Sequence, residues 1–387
     1  MGENTKRRQF IKRVGATGAL VSAGFSGPAV GRAQEDDEYT IGFQVGGLQN
    51  AWFTALSKAG QWYGEANGMN VNIGDGELDP TTQVTVARNL INSGVDALIV
   101  NPFDSEAMAT PVEKAASQGI PTFSVDSVAT SSELNMYTAF GNFSAGERAA
   151  ENAVQLLEEQ KGAKEGRLVA VLIEQSAALG VARREGTQAA LEQYDDVELA
   201  GEIVTDNTRQ DASTKVFNFL QRNPDVDGFV AHAVTTGNGT LNALERQDMK
   251  VARGEEGHKI VSQIDAGPST LDAIRDGFVG VAIDQPVHFY APITMHYIKR
   301  FLDAGEDPSV LPSVGDTVEA DAFTLESDIA GEQTGQDIWA ENTWAPANVE
   351  DTETVEDVPW FHTNSVKVTS ENVDAPYLWG NWIKDVA

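Results

Sequence analysis

The sequence predicts an α/β protein of two lobes, each a doubly wound parallel sheet covered by helices. Three observations predict this fold class. The chain has 387 residues, enough for two domains. Short apolar strands alternate with amphipathic helices about every 25 to 35 residues. The strands are apolar along their whole length, which is typical of parallel strands that are buried on both faces.

The first series of strands and helices begins at Tyr39. A glycine follows each predicted helix, because glycine readily adopts the left-handed conformation that often ends a helix. The next apolar run follows that glycine. The glycines that end the three helices are Gly68, Gly94 and Gly119. The predicted strands of this series lie at 40–45, 70–73, 97–100 and 122–125.

A second series begins at Arg167. Its predicted helices include 183–193 and 212–223, and its predicted strands lie at 168–173, 199–204, 228–231, 259–264 and 280–283. Two doubly wound sheets in one chain leave a cleft between them. Because ligands bind at the carboxyl ends of such strands, we expect the functional site in that cleft.

The alternation fades after Pro312. Residues 313–360 are acidic, with Trp339 and Trp344 as isolated apolar positions, and this composition predicts an irregular insertion. A strand-like run at 365–369 and an aromatic end follow.

The N-terminus resembles a twin-arginine export signal. Arg7 and Arg8 precede Phe10, and a weakly apolar stretch at 14–25 follows that is too short for a good membrane span. We predict a signal peptide over 1–33, with cleavage after Ala33; a disordered basic tail is the alternative. Export by the twin-arginine pathway to the cell exterior or surface follows from this prediction.

The composition is strongly acidic, with 58 acidic and 27 basic residues and a formal charge of −31. Such a surface repels nucleic acid and anionic lipid, so neither is expected as a partner. The hydrophobic fraction of 41% still allows a core. This balance suits a high-salt medium, although an ordinary acidic protein is the alternative. The absence of cysteine excludes disulfides, thiolate catalysis and a lipid-modified cysteine anchor.

Seven segments, in order, are similar to the ribose-type sugar-binding proteins of ABC importers. The resemblance covers roughly residues 39–304, and its segments are 40–53, 95–105, 119–126, 182–186, 223–226, 264–265 and 283–286. It implies the type I periplasmic-binding-protein fold, with hinge strands near Asn142, Gln285 and Ser365. It implies an N-terminal lobe of 39–142 plus about 286–364, and a C-terminal lobe of 143–285 plus about 365–387.

The resemblance also implies the ligand-binding residues. Sugars present hydroxyls that donate and accept hydrogen bonds, and C–H faces on which aromatic rings pack. By position in the family, an amide, two aromatic rings, a carboxylate, an arginine, a second carboxylate and a second amide contact the sugar. These fall on Asn50, Trp52, Phe53, Asp126, either Arg183 or Arg184, Asp265 and Gln285.

Each of these positions has a plainer alternative. Asn50 is also a good turn residue, and Phe53 could be a core residue of its helix. Asp126 and Asp265 could cap the segments that follow their strands. The sequence also departs from the family at Ser127, Asn207 and 233–234, so ribose itself is not implied. Another sugar or a polyol fits equally well.

No catalytic motif is found. The sequence has no phosphate-binding glycine loop and no nucleophile-elbow motif after residue 33, and its five histidines lack metal-ligand spacing. We therefore predict no enzyme activity, no cofactor and no metal.

The resulting hypothesis is a monomeric, exported receptor that delivers a monosaccharide or polyol to an ABC permease. A sensor that presents its ligand to a chemoreceptor or kinase is the first alternative, and a secreted carbohydrate-acting enzyme is the second.

Overall fold

The computed structural model describes residues 39–325, 328–335, 338–340, 343–352 and 354–385. The predicted signal peptide over 1–33 lies outside the described residues. The strands are β1 Tyr39–Val45, β2 Met69–Asp75, β3 Ala97–Val100, β4 Thr122–Val125, β5 Leu134–Phe140, β6 Gly166–Leu172, β7 Val197–Val204, β8 Gly228–Ala231, β9 Ile260–Ile264, β10 Val281–Asp284, β11 Thr317–Val318, β12 Ala347–Asp351, β13 Pro359–Thr363 and β14 Val366–Val368.

Helices connect the strands in the alternation that the sequence predicts. They are α1 Ala51–Ala66, α2 Pro80–Asn92, α3 Ser105–Ser117, α4 Asn142–Lys161, α5 Ala178–Leu191, α6 Arg209–Leu220, α7 Val234–Arg246, α8 Pro268–Arg275, α9 Val287–Asp303, α10 Asp328–Thr334 and α11 Trp379–Trp382.

The strands form two separate sheets. The eight-stranded sheet has the order β11-β12-β13-β5-β4-β3-β1-β2, and the six-stranded sheet has the order β14-β10-β9-β8-β6-β7. We call the half with the eight-stranded sheet the N-terminal lobe and the other half the C-terminal lobe. Both sheets are mostly parallel, and antiparallel pairing occurs only at β11–β12–β13 and β10–β14 among the described residues. The predicted two-lobed α/β fold is confirmed.

The chain passes between the two sheets three times. It leaves the N-terminal lobe after β5, returns after β10, and leaves again between β13 and β14. Each sheet therefore contains segments that are far apart in the sequence; for example, Trp360 of β13 pairs with Tyr137 of β5.

The expectation of an irregular insertion over 313–360 is wrong. This segment adds β11, β12 and the first residues of β13 to one edge of the N-terminal sheet. In β12, Ala347 and Val349 are buried while Asn348 and Asp351 are exposed. This strand is apolar on one face only, so its acidic outer face concealed the alternation. Trp344 is 1% exposed and lies in the core rather than standing alone.

Candidate functional site

A cleft between the lobes collects residues from the carboxyl ends of strands in both sheets. It encloses about 500 Å³, including the part open to solvent. We use "cleft" for the cavity lined by Asn50, Trp52, Phe53, Phe103, Asp126, Ile173, Glu174, Leu179, Arg183, Asn207, Ala233, Val234, Thr235, Asp265 and Gln285. Seven of the eight predicted site residues line it, and Arg184 does not.

Two aspartates occupy equivalent positions in the two lobes. Asp126 follows β4 and Asp265 follows β9, and both have left-handed backbone, with φ of 63° and 70°. Aspartate tolerates this region better than most residues, and such strained positions cluster at functional sites. The turn points each side chain away from its strand and into the cleft.

Asp126 is 6% exposed and only partly satisfied. Its Oδ2 accepts a hydrogen bond from Asn101 Nδ2 at 3.2 Å, whereas its buried Oδ1 has no partner in the described part of the chain. Burial raises the pKa of Asp126 to about 7; Arg183 opposes this rise and the charge of Asp265 adds to it. This carboxyl group therefore has acceptor capacity left for a ligand.

Asp265 belongs to a chain of hydrogen bonds that begins in the N-terminal lobe. Tyr290 Oη donates to Gln285 Oε1 at 2.9 Å, and Gln285 Nε2 donates to Asp265 Oδ1 at 2.6 Å. The backbone N–H of Phe140 donates to Tyr290 Oη at 3.0 Å. Burial raises the pKa of Asp265, against the opposing effects of Arg183 and of the hydrogen bond from Gln285.

The two candidate arginines have different surroundings, and only Arg183 lines the cleft. Arg183 is 2% exposed; its Nε donates to Asn142 Oδ1 at 2.9 Å and its Nη1 to the carbonyl of His232 at 2.6 Å. Its Nη1 also lies 3.8 Å from Asp265 Oδ2.

Arg184, one residue on, points away from the cleft and forms a two-pronged pair with Glu202 at 2.9 and 2.6 Å. Because neighbouring helix residues project about 100° apart, only one of the two can face the cleft. The structure places Arg183 there.

Three aromatic rings form one wall of the cleft. Trp52 and Phe53 meet edge to face with centroids 5.1 Å apart, and Phe103 lies 5.5 Å from Phe53. Gly46 makes room for this wall, since a Cβ there would come within 2.5 Å of the Phe53 ring. The indole Nε1 of Trp52 is buried without a partner in the described part of the chain.

Asn50 caps a helix and lies at the cleft. It is the N-cap of α1, where its Oδ1 accepts a hydrogen bond from the Trp52 backbone N–H at 3.0 Å. It also lines the cleft. The cap fixes the start of α1, and with it the positions of Trp52 and Phe53.

Several cleft residues were missed by sequence reasoning, notably Phe103, Glu174 and Thr235. Glu174 follows β6 at its carboxyl end, so the same strand-end signal that identifies Asp126 could have identified it. Burial raises the pKa of Glu174 to about 7. Asn207, noted in the sequence only as a departure from the family, also lines the cleft and has a left-handed φ of 59°.

The lobes touch beside the cleft, on two facing loops. Ser176 Oγ of the C-terminal lobe donates to the Phe103 carbonyl at 3.0 Å, and the Ala178 N–H donates to Ser105 Oγ at 3.1 Å. The Ser105 N–H donates to the Ser176 carbonyl at 3.4 Å. These three hydrogen bonds connect the two lobes beside the cleft.

The described ranges lack two further kinds of feature. No three His, Cys, Asp or Glu side chains there are grouped to hold a metal ion. No helix in those ranges has the length and apolar character that a bilayer crossing requires.

Residues 41–307 match the periplasmic binding protein domain family. The chain is a periplasmic binding protein. All the residues that line the cleft and all eight predicted ligand-binding residues fall inside the matched range.

Two curated relatives of this periplasmic binding protein are named for different ligands. It is 29% identical over 248 residues to the ribose import binding protein of Bacillus subtilis, covering 64% of this chain and 76% of the relative. It is 27% identical over 280 residues to the xylitol-binding protein of Mycolicibacterium smegmatis, covering 71% and 76%.

Solved structures share its fold at lower identity. An ABC transporter solute binding protein from Agrobacterium vitis, bound with α-D-tagatopyranose, superposes with a TM-score of 0.69 at 18% identity, covering 88% of this chain and 98% of its own. One from Bacillus halodurans with bound myo-inositol has a TM-score of 0.67 at 18% identity, covering 90% and 100%.

Proposed function

We propose that this protein is an exported, non-catalytic receptor that binds a monosaccharide or polyol in the cleft and delivers it to an ABC importer. The observation that carries the proposal is the meeting of Asp126 and Asp265 from opposite lobes in one cleft beside an aromatic wall. The names of the relatives, which include ribose and xylitol binders, support the same ligand class.

The chemistry of the cleft suits a polyhydroxylated ligand. Carboxylates accept hydrogen bonds from hydroxyl groups, and these charge-assisted bonds are about twice as strong as neutral ones. Trp52, Phe53 and Phe103 offer flat apolar surface for the C–H face of a ring or chain. No group on the ligand needs to react for this binding to occur.

Closure is the signal that the proposed partner, a membrane permease, recognises. Both lobes supply polar groups to the cleft, so a ligand stabilises the closed form over an open one. We propose that the three crossings between the sheets act as hinges, near Asn142, Gln285 and Ser365. We propose the lobe boundaries at 142, 285 and about 364, and the changes of sheet after β5, after β10 and between β13 and β14 support them.

The remaining parts of the proposal rest on sequence. A twin-arginine signal over 1–33 accounts for export to the cell exterior or surface, and the charge of −31 suits work in concentrated salt as a monomer. The same charge argues against nucleic acid as a partner.

A thermal-shift screen tests the proposed function. The full chain is heated in concentrated salt with a panel of aldoses, ketoses and polyols at millimolar concentration. A true ligand at 100 times its Kd adds about 2.7 kcal/mol to the unfolding free energy and raises the melting temperature. The Asp126→Ala variant should lose that shift and Arg184→Ala should keep it.

Failure of every sugar and polyol to stabilise the protein would overturn the proposed ligand class. Turnover of a stabilising sugar, seen as new products by mass spectrometry, would replace the receptor with the carbohydrate-acting enzyme.

A further inference from the structure

The charges that line the cleft do not balance. Asp126, Glu174 and Asp265 contribute carboxyl groups, while Arg183 is the single basic residue in the lining. With all of them ionised, three carboxylates face one guanidinium, which leaves a net formal charge of two negative. The other lining residues are neutral.

Arg183 is already committed to the C-terminal lobe and the hinge. Its Nη1 lies 3.8 Å from Asp265 Oδ2 and donates to the His232 carbonyl, while its Nε donates to Asn142. The guanidinium therefore neutralises Asp265 first. The uncompensated charge belongs to Asp126 and Glu174.

Asp126 and Glu174 each keep a buried oxygen with no partner in the described ranges, Oδ1 and Oε2 respectively. A buried acceptor without a donor is destabilising, and more so when it is charged. These two atoms lie in opposite lobes, and no group in the described ranges donates a hydrogen bond to either of them.

The position of Glu174 is fixed by the start of α5. A Cβ at residue 180 would come within 2.2 Å of the Glu174 carbonyl, so Gly180 allows the helix to approach this backbone closely. Glu174 is thereby held at the cleft rather than on a loose loop.

The raised pKa values of Asp126 and Glu174 agree with the lack of a positive charge beside these two carboxyl groups. Burial raises the pKa of both groups to about 7. For Glu174, Asp126 and Asp206 raise it further and Arg183 lowers it. For Asp126, Arg183 and a hydrogen bond from Asn101 lower it and Asp265 raises it.

We propose that the preferred ligand carries a protonated amine on its hydroxylated frame, as an amino sugar or amino polyol does, and that the ammonium lies between Asp126 and Glu174. The proposal rests on the receptor function above. An ammonium offers three donors and one positive charge, which satisfies both unpaired oxygens and removes half of the excess negative charge. A ligand carboxylate or phosphate at this point is repelled.

Isothermal titration of the full chain, at one fixed salt concentration and pH 7.5, tests the proposal with matched probes. D-glucosamine, D-glucose and D-glucuronate share one frame, and 1-amino-1-deoxy-D-ribitol and ribitol share another. In at least one frame the amine should bind at least about tenfold more tightly than its hydroxyl analogue, and glucuronate should show no binding.

Proton linkage gives a second readout that needs no variant. A nearby ammonium lowers the pKa of Asp126 and Glu174, so binding of 1-amino-1-deoxy-D-ribitol, whose alkyl amine is already protonated at pH 7.5, should release protons, and its heat should change with the ionisation enthalpy of the buffer. D-glucosamine does not serve for this readout, because its amine is only partly protonated at this pH and takes up protons on binding. The hydroxyl analogue should release none.

Glu174→Gln assigns the effect. It should reduce amine affinity far more than hydroxyl-analogue affinity, so that the ratio falls by about tenfold. Glu192→Gln, an exposed carboxylate after α5 and outside the cleft, makes the same change in net charge and should leave the ratio as it is. A melting curve verifies that each variant is folded.

Equal or tighter binding of the hydroxyl analogues, with no proton release, would overturn the amine proposal and leave the receptor function intact. An unchanged ratio in folded Glu174→Gln would overturn the role of Glu174. Failure of every probe and of the wider sugar screen would overturn the receptor function together with it.

Discussion

Each lobe places an aspartate with the same backbone conformation at the cleft, but the two carboxyl groups have different hydrogen-bond partners. In each, an aspartate with left-handed backbone follows a strand and donates its N–H to the neighbouring strand, Asp126 to the Thr138 carbonyl and Asp265 to that of Ile283, both at 2.9 Å. In the C-terminal lobe, Gln285 and Arg183 then engage the carboxyl group. In the N-terminal lobe, Asp126 Oδ1 has no partner in the described part of the chain.

From this difference we expect the two aspartates to have different roles, with Asp265 fixing the relative position of the lobes and Asp126 binding the ligand. The Asp265 carboxyl group is held by a network that also reaches Asn142 and Tyr290 at the crossings, so it is tied to the relative position of the lobes. The Asp126 carboxyl group keeps an unfilled acceptor and depends on the ligand to fill it. Removing the first should damage the protein, whereas removing the second should damage binding.

The largest expected effect is on stability, from Arg183→Met. The change leaves Asp265 as a buried carboxyl group without its cation and removes donors from Asn142 and the His232 carbonyl. Breaking a buried ion pair from one side costs about 3–5 kcal/mol, which urea unfolding at fixed salt would measure.

Arg184→Met is the matched control, because its pair with Glu202 is partly exposed and worth at most about 1 kcal/mol. Equal losses in the two variants would show that Arg183 is not the organising residue of the C-terminal side.

Asp126→Ala should give the next largest effect, on affinity. If the carboxyl group accepts two charge-assisted hydrogen bonds of about 1.5 kcal/mol each, the loss weakens binding about a hundredfold. Titration with the sugar found by the screen measures it. A Kd within threefold of that of the parent protein would contradict the capture role of Asp126.

The free energy of unfolding should depend on pH through Asp126. Burial raises the pKa of Asp126 from 3.8 to about 7, so the folded ligand-free protein binds this proton more tightly than the unfolded chain. The unfolding free energy contributed by this group therefore falls as pH rises from about 4 to 7, and is level above that.

Asp126→Asn removes the titrating group and should flatten this part of the profile in denaturant titrations at pH 5, 6, 7 and 8. Glu174 and Asp284, whose pKa values burial also raises to about 7, keep the remaining slope. An unaltered slope in Asp126→Asn would show that this group titrates elsewhere.

The smallest expected effect concerns the contact beside the cleft. Ser176→Ala removes the hydroxyl that donates to the Phe103 carbonyl, at a cost of about 1 kcal/mol to the closed form. Ligand dissociation followed by stopped flow should become about fivefold faster. Ser117→Ala, which removes an exposed hydroxyl at the end of α3, should not alter the rate.

The sequence predicted the strand–helix units and most of the cleft because both depend on local patterns. Strands buried on two faces are continuous apolar runs, and the residue after each run lies at the carboxyl edge of its sheet. The strand pattern therefore places Asp126 and Asp265 at that edge, whereas the expectation that they contact the ligand came from the family resemblance.

The remainder depends on contacts that no local pattern contains. Which of Arg183 and Arg184 faces inward is set by the rotation of α5. The place of Phe103 at the cleft is visible only from its contact with Phe53 in three dimensions. β11, β12 and β13 were missed because they are only two to five residues long and because β12 is acidic on its outer face. The pairing of β13 with β5, which brings them into the N-terminal sheet, is visible only in three dimensions.

The three crossings between the sheets have a consequence for how the protein is made and cut. Because β13 pairs with β5, and β14 with β10, neither lobe is a contiguous stretch of chain that could be produced alone. Such long-range pairings raise contact order and slow folding. A single proteolytic nick at one crossing would leave the lobes linked by the other two crossings and the two fragments held together by strand pairing, so nicked protein should migrate as a single species until it is denatured.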